Sequence, residues 1–220
     1  MLLLKVCGIT RSEDAAAACA MGYGAIGMVF AESPRRVSPE RAREICSVIP
    51  PSVLRVGVFA GEEAGEVRRI MDHCGLDLVQ FHGGEDPGEV LRFGGRAIAA
   101  LRPRSPEDLE RIADYRGVFA VLIDTWDPLL AGGTGRTCDW GLASRAALYG
   151  RVILAGGLTP ANVGGALRRV RPFGVDVSSG VESSPGMKDA ALMREFARAV
   201  SETCRNGLEE GSDEENTSAD

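Results

Sequence analysis

The sequence predicts an α/β fold, a single (β/α)8 TIM barrel followed by a short acidic tail. Short apolar runs alternate with amphipathic stretches eight times, at a spacing of roughly 20–30 residues, which is typical of parallel strands joined by crossover helices. The 28 glycines among 220 residues lie mainly near the ends of these runs, as expected for a chain with many tight turns. We therefore assign residues 1–205 to one barrel domain and residues 206–220 to the tail.

The eight predicted strands are short and rich in aliphatic residues. They span Leu2–Cys7, Ala25–Phe30, Leu54–Phe59, Leu76–Phe81, Arg96–Leu101, Phe119–Ile123, Arg151–Ala155 and Gly174–Val177. The helical stretches between and after them span Ser12–Met21, Pro39–Val48, Glu62–Cys74, Pro87–Phe93, Pro106–Tyr115, Asp139–Leu148, Pro160–Val170 and Asp189–Cys204. An open doubly wound sheet is the alternative. Such a sheet usually carries a G-x-G-x-x-G turn after its first strand, where this chain has Cys7-Gly8-Ile9-Thr10.

Helix starts are marked independently of hydrophobicity. Ser38-Pro39, Ser105-Pro106 and Thr159-Pro160 each place a hydroxyl before a proline, and proline is favoured at the first helical position. Thr10 and Glu13 have the spacing of a capping box. These signals fix the phase of the strand–helix repeat.

The charge of the chain is concentrated in its last residues. The net charge is −6, and residues 206–220 contain six acids and no lysine or arginine. The barrel is therefore neutral, which argues against nucleic acid as a partner. With Leu208 as its only large apolar residue, the tail is predicted to be disordered and solubilising, with an interaction tail as the alternative.

The cysteine spacing bears on metal binding, and the lengths of the apolar runs bear on the cellular compartment. None of the six cysteines forms a C-x-x-C pair, so we expect no zinc site and no metal. No apolar run approaches the ~18 residues of a membrane helix, and the start lacks the features of a secretory signal. We expect a cytoplasmic protein with reduced thiols and no membrane partner.

Residues with catalytic chemistry follow several of the predicted strands. In chain order they are Cys7, Arg35 and Arg36, Gln80 and His82, and Asp124. Functional groups of a barrel lie at these strand ends, where a Cys7 thiolate could serve as base or nucleophile. Asp124 ends an apolar strand and could serve as an acid, while an arginine could bind a substrate carboxylate. The alternatives are a core thiol, a structural carboxylate and a surface arginine.

Two glycine-containing loops predict a phosphate site. Gly156 and Gly157 follow the seventh strand, and Ser178, Ser179 and Gly180 follow the eighth. Barrels often bind phosphate in these two loops, because glycines allow backbone N–H groups to approach the anion. Tight turns without a ligand are the alternative. The residues alone thus indicate a phosphate-binding barrel enzyme without cofactor, with Cys7 and Asp124 as an acid–base pair.

An ordered set of motifs resembles the phosphoribosylanthranilate isomerase family from residue 4 to about residue 200. The motifs are Lys5-Val6-Cys7-Gly8-Ile9-Thr10, Ser33-Pro34-Arg35, Val79-Gln80-Phe81-His82-Gly83, Asp124-Thr125, Gly132-Gly133-Thr134-Gly135, Ala155-Gly156-Gly157-Leu158-Thr159-Pro160 and Val175-Asp176-Val177-Ser178-Ser179-Gly180. No single motif is decisive, but their order at strand ends is specific to the family.

The resemblance implies an Amadori rearrangement in tryptophan biosynthesis, with a small phosphorylated molecule as partner and no cofactor. In such an enzyme the aspartate matching Asp124 is the general acid and the cysteine matching Cys7 is the general base. The implied substrate-binding residues are Arg35, Gln80, His82 and Gly133. The implied phosphate-binding residues are Gly156, Gly157, Ser179 and Gly180.

Two rival functions remain open. The first is a phosphoribosyl isomerase of the histidine-pathway type. Enzymes of that type have an aspartate at the end of strand one, where this chain has Cys7. A non-catalytic barrel that binds a phosphorylated metabolite would keep the phosphate loops but lose the acid or the base. Arg36 stands where the family commonly has tyrosine, so it could share the role of Arg35. The resemblance to the family implies either a monomer or a homodimer.

Overall fold

Eight parallel strands close into a barrel in a computed structural model that describes residues 2–124 and 140–215. The strands are β1 Leu3–Val6, β2 Ala25–Val29, β3 Leu54–Phe59, β4 Leu78–Phe81, β5 Ala97–Leu101, β6 Ala120–Asp124, β7 Val152–Ala155 and β8 Gly174–Val177. Each strand pairs in parallel with the next, and β8 pairs with β1. The predicted (β/α)8 barrel is confirmed.

Helical segments follow the strands around the outside of the barrel. They are α1 Ser12–Ala20, α2 Pro39–Ser47, α3 Ala64–Cys74, α4 Pro87–Leu91, α5 Trp140–Ala146, α6 Val163–Val170 and α7 Ala190–Glu215. The connection from β5 to β6 contains a 3₁₀ helix, Glu107–Tyr115. A short antiparallel hairpin, β9 Glu182–Ser184 and β10 Met187–Lys188, lies between β8 and α7. No described helix is long and apolar enough to cross a membrane.

Only some of the predicted helix caps are present. Ser38 accepts a hydrogen bond from the Arg41 amide (3.2 Å) and caps α2 as predicted. The predicted capping box of α1 is wrong, because Arg11 occupies the N-cap position and the Thr10 hydroxyl donates to the Gly186 carbonyl. This long-range bond joins the loop after β1 to the hairpin after β8.

Two further caps differ from the prediction. Helix α6 begins at Val163 with Asn162 at its N-cap, and the Asn162 side chain accepts from the Thr159 amide at 2.8 Å. Before the 3₁₀ helix, the Asp108 carboxylate accepts from the Ser105 amide at 3.1 Å. At both starts a backbone carbonyl accepts from a first-turn amide, Thr159 from Val163 at 3.1 Å and Ser105 from Asp108 at 3.2 Å, so neither predicted hydroxyl cap is needed.

Side chains alternate between two apolar cores. Leu4 and Val6 of β1 pack outward against the helices, so Lys5 and Cys7 face the barrel interior because successive side chains of a strand point to opposite faces. The interior core consists of Ala25, Val56, Leu78, Ile98, Ala120, Leu122, Ile153 and Ala155. It fills the barrel with aliphatic side chains, and the ionisable groups lie toward the C-terminal ends of the strands.

The last helix does not end where we placed the domain boundary. Helix α7 continues to Glu215, past residue 205. Residues 206–215 of the predicted acidic tail thus belong to α7. Residues 216–220 lie outside the described residues, and disorder there stays a prediction.

Candidate active site

Cys7 lies directly after β1 and is held by its neighbours on both sides. Its amide donates to the Val177 carbonyl of β8 at 2.9 Å. On β2, a Cβ atom at Gly27 would lie only 2.9 Å from Cys7 Sγ. Glycine is therefore needed at position 27 to leave room for the thiol, which is 8% exposed at the barrel mouth.

Opposing effects act on the Cys7 thiol. Burial raises its pKa most strongly, and the Asp176 carboxylate adds to the increase. The ammonium groups of Lys5 and Lys188 act in the opposite direction, but the net pKa is raised. In the unliganded site the thiol form is favoured, so a thiolate base depends on the cations around it.

A second cluster joins the ends of β4, β5 and β6. Asp124 Oδ2 lies 3.0 Å from Arg102 Nε and 3.3 Å from His82 Nε2. Arg102 Nη2 is 2.9 Å from the same His82 nitrogen, and His82 Nδ1 is 3.1 Å from Gln80 Nε2. Gln80, His82 and Asp124 therefore come together as the strand-end rule predicts.

The donors in this cluster define the histidine tautomer. Arginine can only donate, so the Arg102 contact requires an unprotonated Nε2 and places the proton of neutral His82 on Nδ1. The Gln80 amide, whose Nε2 lies 3.1 Å from Nδ1, must then turn over to present its oxygen to this N–H. Gln80 Oε1 is buried without a hydrogen-bond partner among residues 2–124 and 140–215, and this turn gives it one.

Arg35 is held in place by the hairpin after β8. Its Nε and Nη2 donate to the two Glu182 carboxylate oxygens at 2.9 and 2.7 Å. Lys188 Nζ donates to Glu182 Oε1 at 2.7 Å. These cations keep the pKa of Glu182 low despite its burial. The Arg35 stem lies over Gly8, where a Cβ would approach Arg35 Cδ to 2.5 Å, while the Arg36 side chain is exposed.

The loops after β7 and β8 pack directly on each other. Gly156 and Gly157 have φ values of +90° and +62°, which favour glycine. A Cβ at Gly180 would overlap the Leu158 carbonyl oxygen. Asn162 Nδ2 donates to the Gly157 carbonyl at 2.9 Å and fixes the first loop. These loops bring their backbones together at the barrel mouth, as a phosphate site would require.

Gly180→Ala is expected to destabilise the protein by about 1–3 kcal/mol, because the clash is with backbone rather than with a flexible side chain. Chemical denaturation measures this loss. Gly65→Ala in α3 is the matched control, since a Cβ there meets nothing within 4 Å. The control is expected to keep or slightly raise stability. Equal stability of the two variants would contradict the close approach of the loops.

Sequence reasoning missed Arg102, Glu182 and Lys188. Arg102 directly follows the apolar run of β5, so the strand-end rule could have identified it. Glu182 and Lys188 lie in a hairpin, 147 residues from Arg35 in the first case, and no local pattern signals this pairing. Gly133 lies outside the described residues. Within residues 2–124 and 140–215, no cluster of His, Cys, Asp and Glu could hold a metal ion.

The closed barrel and the ionisable groups at its C-terminal mouth define the class: a (β/α)8-barrel enzyme. A family model for N-(5'-phosphoribosyl)anthranilate isomerase matches residues 4–199. The isomerase of Pelobacter propionicus is 48% identical, over 92% of this chain and 97% of that protein. The crystal structure of the Thermotoga maritima enzyme is 40% identical, with a TM-score of 0.83 over 90% of this chain and 98% of that chain.

A further solved isomerase is in complex with reduced 1-(o-carboxyphenylamino)-1-deoxyribulose 5-phosphate. It is 38% identical, with a TM-score of 0.80 over 90% of this chain and 98% of that chain. The chain belongs to the N-(5'-phosphoribosyl)anthranilate isomerase family, and it is an isomerase of tryptophan biosynthesis.

Proposed function

We propose that Asp124 is the general acid and Cys7 the general base with which this isomerase converts N-(5-phosphoribosyl)anthranilate into 1-(2-carboxyphenylamino)-1-deoxyribulose 5-phosphate. The observation that carries the proposal is the placement of both groups at the C-terminal ends of strands of one closed barrel. Two such groups can protonate and deprotonate one small molecule bound between them.

Ring opening is the first step. Asp124 donates a proton to the furanose ring oxygen, the bond between this oxygen and C1′ breaks, and a protonated Schiff base forms between C1′ and the anthranilate nitrogen. Arg102 and His82 lie against Asp124 Oδ2. Arg102, which donates to Oδ2 through Nε at 3.0 Å, stabilises the carboxylate that remains after the proton has left.

Proton abstraction is the second step. The Cys7 thiolate takes the proton from C2′, and the electron pair of this C–H bond moves into the C1′–C2′ bond and neutralises the Schiff base. The resulting enolamine has a hydroxyl group on C2′. Cys7 returns its proton to C1′ and the C2′ hydroxyl proton passes to Asp124, which yields the ketone and restores both groups, so the reaction involves no net oxidation.

The charged groups of the mouth suit the two ends of this substrate. Arg35 uses Nε and Nη2 for Glu182, and its Nη1 edge can bind the anthranilate carboxylate. Gln80, His82 and Gly133 are assigned to substrate contacts. The backbone amides around Gly156, Gly157, Ser179 and Gly180 are assigned to the 5′-phosphate. The oligomeric state, a monomer or a homodimer, stays a prediction.

The test is an isomerase assay on freshly made N-(5-phosphoribosyl)anthranilate. Loss of anthranilate-type fluorescence is followed with EDTA present, and the decay without enzyme is subtracted. We expect rapid turnover that EDTA does not affect, with a ketose product of unchanged mass. Tight binding of the reduced product without any turnover would instead indicate a binding protein.

A further inference from the structure

We propose that Lys5 is the cation that stabilises the Cys7 thiolate, and that Asp176 anchors Lys5 while competing with the thiolate for its charge. Lys5 is thus a positioning residue for the base. The inference rests on the proposed role of Cys7, and it adds two residues that the proposed mechanism does not use.

Backbone geometry brings the three side chains together. Lys5 and Cys7 are two residues apart and therefore point to the same, interior face. Asp176 is the register partner of Lys5 on β8, and Lys5 Nζ lies 2.8 Å from Asp176 Oδ2. The partner of Lys5 on β2 is Ala25, whose small side chain leaves room for the ammonium group, which is directed toward Asp176 on β8.

The Lys5–Asp176 pair is poorly suited to a purely structural role. Lys5 is 0% exposed and Asp176 is 8% exposed, and lysine is almost never fully buried unless it is paired. Desolvation offsets most of the attraction in such a pair, so an apolar pair of similar volume often stabilises a protein better. Asp176 Oδ1 is also buried without a partner in the described part of the chain. A charge retained at this cost has a use in the site.

Four charged groups from neighbouring elements interact with the Cys7 thiol. These groups are Lys5 on β1, Arg35 after β2, Asp176 on β8 and Lys188 on β10. Arg35 and Lys188 are both bound to Glu182, which reduces their effect on the thiol. Lys5 remains the strongest stabilising charge, ahead of Lys188. Burial would lower the pKa of Lys5, but Asp176 and Cys7 raise it, so Lys5 stays protonated.

Two variants should shift the pH at which the Cys7 thiolate forms in opposite directions. Asp176→Asn frees the Lys5 ammonium for Cys7 and removes a nearby negative charge. The double variant Lys5→Met/Asp176→Asn removes both charges together, which avoids an unpaired buried ion. It leaves burial as the dominant influence on the thiol.

The readout is the rate of iodoacetamide labelling of Cys7 against pH, measured on the full chain by peptide mass spectrometry. Because only the thiolate reacts, we expect Asp176→Asn to lower the midpoint by about one pH unit and to speed labelling about tenfold near neutral pH. The double variant is expected to raise the midpoint and slow labelling about tenfold. Exposed Cys204 is the internal control, and its labelling rate should not change.

The outcomes separate this proposal from the proposed function. An unchanged or lowered midpoint in the double variant would overturn the role of Lys5, and an unchanged or raised midpoint in Asp176→Asn would overturn the competition by Asp176, so each variant is decisive for its own residue. Shifted midpoints in a protein that does not turn over the proposed substrate would keep the pairing and reject the reaction. If both proposals hold, the double variant should lose kcat by about 100-fold with little change in affinity for the reduced product.

Discussion

Alanine at position 7 is expected to lower kcat by about 10²–10⁴-fold, the usual contribution of a general base, while the Kd for the reduced product stays nearly unchanged. The substitution removes the proton acceptor but leaves Arg35 and both glycine loops in place. Stopped-flow fluorescence with the substrate gives kcat, and calorimetric titration with the reduced product gives Kd. This combination separates loss of chemistry from loss of binding.

Cys46→Ala is the matched control for this variant. Cys46 is also buried, but it lies on α2 with its sulfur 3.9 Å from Met28 Sδ, in the outer core. Its replacement should lower stability by a modest cavity cost and leave kcat intact. Near wild-type turnover in Cys7→Ala would remove Cys7 from the mechanism, and a matching loss in Cys46→Ala would mean that the effect is structural.

The parts of the site that follow a strand could be predicted from the sequence. Cys7, Gln80, His82 and Asp124 lie within or directly after apolar runs, and parallel strands of one barrel bring their C-terminal ends to one face. The positions of these residues therefore follow from strand periodicity alone. Arg102 obeys the same rule and could have been included.

The parts that depend on long-range pairing could not be predicted. Glu182 binds Arg35 from a hairpin 147 residues away, and Asp176 binds Lys5 across the β1–β8 closure. Neither pair has a local signal, because ion pairs depend on register and side-chain reach. The predicted capping role of Thr10 was wrong for the same reason, since its hydroxyl donates to the Gly186 carbonyl of the distant hairpin and does not cap α1.

Asp124→Asn is expected to lower kcat by about 10²–10⁴-fold, because an amide keeps the shape of the side chain but cannot donate a proton to the ring oxygen and then carry the resulting charge. Asp124 is 14% exposed at its side chain and contacts Arg102 and His82. Asparagine can accept from Arg102 through its oxygen, so the cluster should remain assembled. The reduced product should bind with little change in Kd, as measured by calorimetric titration.

Arg102→Met provides the control that links Asp124 to the acid step. The Arg102 guanidinium lies beside the Asp124 carboxylate and favours its charged form, whereas a general acid must carry a proton when substrate binds. Removing this cation should therefore extend activity to higher pH. The alkaline limb of the pH profile of kcat/KM is expected to shift to higher pH. If Arg102→Met leaves this limb unchanged and Asp124→Asn retains turnover, another group donates the proton. A shifted limb together with an inactive Asp124→Asn would assign the acid to Asp124, because a carboxylate with a purely structural role would not couple the pH profile to its neighbouring arginine.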